Sequence, residues 1–165
     1  KENIELKEML NRKDDKKMIL AYILKKPPFT AYDSFILDIG DDMNIKKGDE
    51  VYAIGDVLIG EIQEVYSNTS KVKLYSSYGE KYEVQIGEKN IQAIATGEGG
   101  GTFQALIPRD IKIAEGEIIK IPNITNGVFA IVNKIISDPA KTFSIIIFSQ
   151  PINIYEQKWV KVYEK

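Results

Sequence analysis

The chain has 165 residues, of which 44% are hydrophobic and 28% charged, a composition typical of a folded globular protein. Its net charge of −2 argues against the concentrated positive surface that nucleic-acid binding requires. The complete absence of cysteine and histidine excludes disulfides, thiolate metal sites and a Ser-His-Asp triad. We therefore expect a non-enzymatic protein without a metal or cofactor.

Residues 1–17 are predicted to form a short polar helix. Leu6 and Leu10 lie four residues apart, as on one face of a coiled coil, but the pattern lasts only about one and a half heptads. A solvated helix is the simpler interpretation of this piece alone. If residues 1–17 are instead the end of a longer coiled coil, Leu6 and Leu10 are candidate dimerisation residues.

No stretch of the sequence approaches the ~20 apolar residues of a membrane helix. The chain begins at Lys1 and carries no signal peptide. We therefore expect a fragment or processed form, whose membrane anchor would lie upstream.

From residue 18 onward, short runs of Ile, Val, Tyr and Phe alternate with Gly, Asn, Asp and Pro, which predicts short strands joined by turns. Many short strands at this spacing are typical of small barrels or sandwiches, and no helical pattern between them suggests an α/β fold. The predicted strands span residues 18–25, 34–39, 50–54, 58–66, 71–76, 81–86, 91–96, 103–107, 117–121, 128–136, 143–149 and 158–163.

Three consecutive glycines at 99–101 form the sharpest break in the pattern. We place a domain boundary there, with a first barrel at 18–97, completed by residues 152–165, and a second at 98–151. The glycines do not match a phosphate-binding loop, because neither a lysine nor a helix start follows at the required offset. Trp159 is expected to anchor the last strand as it returns to the first barrel or the junction.

The two halves of the chain resemble each other, which indicates an internal repeat. Residues 45–51 align with 113–119, residues 60–68 align with 130–138, and Lys71 then matches Lys141. Two similar units predict two small six-stranded barrels, and closing each sheet on itself removes exposed strand edges.

Three glycines of the repeat are predicted to be structural turn positions: Gly48, Gly60 and Gly116. At 48 and 116 the glycine precedes an acidic residue and a strand, which suits a turn that needs a positive φ.

Five segments, in the same order, then resemble a known family. They are 21–24 before Pro28, 35–40, 45–51, 58–72, and 95–101 followed by Gly116. Their order is similar to that of the rod-shape-determining protein MreC family, and the resemblance covers 18–165. The chain departs from the family at 125–129, where a Phe-Pro-x-Gly turn is usual.

The resemblance implies an all-β, non-catalytic scaffold with two tandem barrels, similar in architecture to chymotrypsin-like proteases without their catalytic groups. It implies a single-pass protein of the cell membrane, with a dimerising coiled coil and with this region on the extracytoplasmic face. The implied partners are MreD, the elongation-specific penicillin-binding protein, the actin-like MreB on the cytoplasmic side, and a second copy of the chain.

Two other functions remain open at this point. A hydrolase would have to replace histidine with a lysine of depressed pKa, and the available side chains are Ser67, Ser70, Lys71, Ser137 and Lys141. A lysine beside a turn would be solvated, which disfavours this chemistry. A periplasmic transport adaptor also combines a coiled coil with β-domains, but its helices usually leave one β-domain from both ends, whereas here a helix is predicted only at the N-terminus.

The segment around Pro28, Phe29 and Tyr32 forms a short, stiff, aromatic loop. Such a loop is a candidate site of partner contact, with ordinary loop packing as the alternative.

Overall fold

The computed structural model describes residues 17–30, 33–122, 124 and 128–164. The predicted N-terminal helix, with Leu6 and Leu10, lies outside the described residues, and so does Tyr32. Within the described part, no helix is long and apolar enough to cross a membrane.

The described residues form twelve strands, each at a position predicted from the sequence, and two short 3₁₀ turns at Asp41–Met43 and Ile154–Glu156. The strands are β1 (Met18–Lys25), β2 (Ser34–Leu37), β3 (Glu50–Ala53), β4 (Val57–Val65), β5 (Ser70–Leu74), β6 (Lys81–Ile86), β7 (Ile91–Gly99), β8 (Thr102–Pro108), β9 (Ile118–Lys120), β10 (Ala130–Ile136), β11 (Phe143–Ser149) and β12 (Trp159–Tyr163).

The strands close into two six-stranded barrels, in the orders β1-β12-β3-β4-β5-β2 and β10-β11-β8-β7-β6-β9. Every pairing between neighbouring strands is antiparallel. The prediction of an all-β chain with two six-stranded barrels is confirmed.

The division of strands between the barrels differs from the predicted boundary at residues 97 and 98. β6 and β7 pair in the second barrel, so the chain crosses between barrels at 75–80, and the three glycines form the β7–β8 turn. A run of glycines occurs both in hairpin turns and in linkers between domains, which is why the domain boundary was predicted at the wrong residues. β12 pairs with β1 and β3, and it thereby closes the first barrel around the inserted second barrel.

The internal repeat of the sequence corresponds to a repeated irregularity in the sheets. In the first barrel the register between β4 and β5 shifts between Ile62 and Glu64. In the second barrel the register between β10 and β11 shifts between Val132 and Lys134, the positions aligned with them. A bulge at the same point of both long strands bends each sheet in the same way.

The three predicted turn glycines have two different structural roles. Gly48 and Gly116 have φ of +95° and +90°, a conformation that strains any residue with a Cβ. Gly60 instead lies inside β4, so its assignment to a turn is wrong. A Cβ at Gly60 would lie 2.4 Å from the carbonyl oxygen of Lys73, so the close approach of β5 requires glycine there.

Each barrel has its own apolar core, and the second core extends onto the first barrel. Tyr52, Leu58 and Tyr163 lie on the first barrel but pack in the second cluster, with Tyr75 and Phe129. The rings of Tyr52 and Tyr163 meet edge to face, with centroids 5.2 Å apart. The side of the first barrel formed by β3, β4 and β12 is therefore covered by the second barrel.

Candidate recognition surfaces

The serine and lysine candidates do not form a catalytic pair. Ser70 and Lys71 are successive residues of β5, so their side chains point to opposite faces of the sheet. The Ser70 hydroxyl is fully buried and has no hydrogen-bond partner among the described residues. In the second barrel the Ser144 hydroxyl donates to that of Ser137 at 3.2 Å, while Lys141 is exposed.

The acidic residues give no support for a metal site. Across residues 17–30, 33–122, 124 and 128–164, no three carboxylates converge in a way that could hold an ion. The exposed surfaces of the two barrels are the candidate functional sites.

Pro28 and Phe29, two of the predicted contact residues, lie on the outside of the first barrel. The Phe29 N–H donates to the Lys26 carbonyl at 2.9 Å, which forms a tight turn, and the Lys26 ammonium donates to the Gln157 carbonyl at 3.2 Å. This turn leaves the Phe29 ring 83% exposed. A large apolar ring held out by an anchored turn is suited to contact with another protein.

The strand that leads into this turn also carries exposed apolar residues. Leu20, Tyr22 and Leu24 of β1 all point outward and are exposed. Tyr22 pairs with Trp159 of β12, and their rings meet edge to face with centroids 5.1 Å apart. We call these four residues the β1–β12 wall. Single exposed apolar residues are common on proteins, but a contiguous patch marks an interaction site.

The β1–β12 wall was not predicted from the sequence, although the composition of β1 carries a signal for it. A strand with one solvated face alternates apolar and polar residues, whereas β1 reads Met-Ile-Leu-Ala-Tyr-Ile-Leu. Its inward residues, Ala21 and Ile23, fill the core, so its outward apolar residues are not needed to form the core of the barrel.

A second apolar surface lies on the other barrel. Ile145 of β11 pairs with Leu106 of β8 on one side and with Ile136 of β10 on the other. Leu106 is 59% exposed, and Phe143, two residues before Ile145, is also exposed. We call these four residues the β8–β10 stripe.

Comparison with known proteins identifies similar chains. A family model described as rod shape-determining protein MreC, barrel core, matches residues 23–164. No curated protein matches the chain significantly. Among solved structures, MreC from Pseudomonas aeruginosa is 19% identical, with a TM-score of 0.79 over 88% of this chain and 98% of that one.

Two further structures have the same fold. MreC from Listeria monocytogenes is 20% identical, with a TM-score of 0.73 over 99% of this chain and 84% of that one. A chain from the complex between penicillin-binding protein PBP2 and MreC of Helicobacter pylori is 12% identical, with a TM-score of 0.60 over 91% of this chain and 99% of that one. At these identities the structural likeness shows the fold alone.

Proposed function

The chain belongs to the rod shape-determining protein MreC family, and we propose that it is a scaffold of the bacterial cell-elongation complex, organising peptidoglycan synthesis through protein contacts. The family is a non-catalytic, shape-determining scaffold, so the chain is not an enzyme. The match over residues 23–164, which includes both barrels, is the observation that carries the proposal.

The first partner in this proposal is the elongation-specific penicillin-binding protein. Support comes from the Helicobacter pylori relative, which forms a complex with PBP2. We assign the contact to Pro28, Phe29 and Tyr32, together with the β1–β12 wall. The exposed ring of Phe29 is the type of aromatic anchor that dominates many interfaces.

The remaining partners and the location are also part of the proposal, and family membership supports them. The chain would be attached to the cell membrane by a single-pass anchor, with both barrels on the extracytoplasmic face. It would contact MreD in the membrane and be linked to MreB on the cytoplasmic side. Dimerisation through Leu6 and Leu10 would give each partner a paired surface and raise its effective concentration.

Binding to the extracytoplasmic part of the elongation-specific penicillin-binding protein, measured by biolayer interferometry, tests the central proposal. We expect micromolar or tighter binding by the chain, and a loss of at least about tenfold for Phe29→Ser, as for an aromatic anchor. Phe143→Ser is the matched control, because it removes an exposed ring from the other barrel. We expect this control to change the affinity by less than about twofold.

Two results would contradict the proposal at different levels. Absence of binding by the unmodified chain would exclude the penicillin-binding protein as a direct partner. Loss of binding in Phe143→Ser but not in Phe29→Ser would move the contact to the β8–β10 stripe. Co-purification of MreD with the membrane-anchored form would test the second partner separately.

A further inference from the structure

The turn between β7 and β8 extends from the second barrel to the first. Its glycines, Gly99, Gly100 and Gly101, have φ of +92°, +62° and +86°. Two of their N–H groups donate to Ser76. The Gly99 N–H donates to the Ser76 carbonyl at 2.7 Å, and the Gly101 N–H donates to the Ser76 hydroxyl at 2.8 Å. The Gly100 N–H between them points to a different acceptor.

The acceptor of the Gly100 N–H is the carboxylate of Asp33, from the segment before β2. Its Oδ2 accepts a hydrogen bond from the Gly100 N–H at 3.1 Å. Its Oδ1 accepts one from the Tyr155 hydroxyl at 2.9 Å, in the segment that returns from the second barrel to β12. Hydrogen bonds to an ionised acceptor are stronger than those between neutral groups.

The backbone of Asp33 is fixed as well. Its carbonyl accepts a hydrogen bond from the Leu74 N–H at 3.1 Å. The Ser77 hydroxyl lies 3.2 Å from the same carbonyl and shares its proton with the nearer Leu74 carbonyl at 2.8 Å. Leu74 ends β5, and Ser77 lies in the crossing at 75–80. Asp33 therefore joins the β7–β8 turn, the return segment and the crossing.

A separate group of contacts joins the barrels at β4. The Leu58 N–H donates to the Val128 carbonyl at 3.1 Å, and the Gln150 side-chain amide donates to the Leu58 carbonyl at 2.6 Å. In the first barrel β5 lies between β4 and β2, so Leu58 and Asp33 lie on either side of the strand that leads into the crossing. Contacts on one side alone would let the barrels rock about the crossing, whereas contacts on both sides oppose that motion.

We propose that Asp33 is a positioning residue that fixes the angle between the two barrels, as a clasp closed by Gly100 and Tyr155. The clasp does not depend on the proposed scaffold function, since it joins residues of one chain. Partial burial, aided by the bond to Asp33, raises the pKa of Tyr155 to about 12, so its hydroxyl remains a donor beyond the pH at which a free tyrosine ionises. A partner that touches both barrels would meet two surfaces at a set angle.

Spin-label distance measurements test the clasp directly, because the chain has no cysteine of its own. Lys47→Cys and Lys89→Cys place one label on an exposed site of each barrel. We expect a single narrow distance distribution in the parent chain. Adding Asp33→Ala should broaden the distribution about twofold or shift its mean, as for a released hinge.

Asp38→Ala is the matched control. Its carboxylate accepts the Tyr22 N–H at 2.9 Å, a comparable bond that lies wholly within the first barrel. We expect the distance distribution of this variant to remain that of the parent. Equal broadening in Asp33→Ala and Asp38→Ala would overturn the proposal, because it would reflect a general loss of stability.

Tyr155→Phe keeps the test decisive if Asp33→Ala does not fold, since it removes a single hydroxyl. We expect this variant to broaden the distribution by a smaller amount than Asp33→Ala. A parent-like distribution in every folded variant of Asp33 and Tyr155 would also overturn the proposal.

Discussion

Gly48 and Gly116 occupy equivalent positions in the two barrels. The Gly48 N–H donates to the Ile62 carbonyl and the Gly116 N–H to the Val132 carbonyl, at 2.8 Å in both cases. The residue after each glycine returns the bond, accepting from Ile62 N–H or Val132 N–H at 2.9 Å. The two barrels therefore repeat one turn in atomic detail, at positions that the sequence repeat had aligned.

Replacing either glycine by alanine should destabilise its barrel. We expect Gly48→Ala and Gly116→Ala each to lower the free energy of unfolding by about 1–2 kcal/mol, because both φ values are positive. No atom lies within 4 Å of a Cβ built at Gly116, so the cost there is conformational and not steric. Denaturant unfolding measures the loss, and unchanged midpoints would contradict it.

Gly60→Ala should cost more, for a steric reason. The new Cβ would lie 2.4 Å from the Lys73 carbonyl oxygen, so the paired strands β4 and β5 would have to separate locally. We expect a loss of about 3 kcal/mol, at the upper end of overpacking costs. Ala130→Gly is the comparison at the aligned position of the second barrel, with an expected loss of about 1 kcal/mol. Similar unfolding midpoints for Gly60→Ala and Ala130→Gly would contradict this prediction, because they would mean that β5 shifts to make room for the added methyl group.

Two phenylalanines of β11 differ sharply in burial and provide a matched pair. Phe148 is fully buried and stacks on Phe103 with ring centroids 5.4 Å apart, whereas Phe143 is exposed. We expect Phe148→Ala to lower the free energy of unfolding by about 3–5 kcal/mol, from lost burial and the cavity left behind. Phe143→Ala should change it by less than about 0.5 kcal/mol. Equal effects in chemical denaturation would contradict this view of the core.

Removal of residues 158–165 should open the first barrel and leave the strand pairing of the second intact, although it removes Tyr163 from the second core. β12 is the neighbour of both β1 and β3, whereas all six strands of the second barrel lie between Lys81 and Ser149. In hydrogen exchange we expect the amides of β1 and β3 to lose protection and those of β8 and β11 to keep it. Equal loss of protection in both barrels would mean that they fold as one unit.

Alkaline pH should destabilise the fold through its buried and partly buried tyrosines. Burial raises the pKa of Tyr82 to about 12 and that of Tyr155 to about 12, and it raises the pKa of Tyr52 and Tyr75 further. The unfolded chain loses these protons near 10, the ordinary value, while the folded chain retains them. The contribution to stability is therefore complete below pH 10 and is lost as the pH rises through 12.

Unfolding midpoints measured across this pH range, together with phenolate absorbance, check the tyrosine prediction. Tyr82→Phe and Tyr155→Phe should each make the decline with pH shallower. A flat stability profile between pH 10 and 12 would contradict the assignment of the raised pKa values to the folded state.

The candidate surface could be predicted only in part. Proline and an aromatic residue in one short loop indicated an exposed contact site, and Phe29 is indeed exposed. The outward residues Tyr22 and Trp159 could not be assigned to one patch, because they are far apart in the sequence and meet only when β12 pairs with β1. The role of Asp33 was likewise invisible, since its partners Gly100 and Tyr155 come from distant segments.

The amino-acid sequence by itself determined where the strands and turns lie and which chemistry is excluded. Strand periodicity, glycine in turns and the absence of histidine and cysteine are local or compositional properties, so they need no knowledge of the fold. Only the tertiary structure decided that the returning β12 pairs with both β1 and β3, that β6 and β7 join the second barrel, and that Asp33 contacts both barrels. Closing a barrel pairs strands from distant parts of the chain, and the choice among such pairings depends on the geometry of the whole sheet.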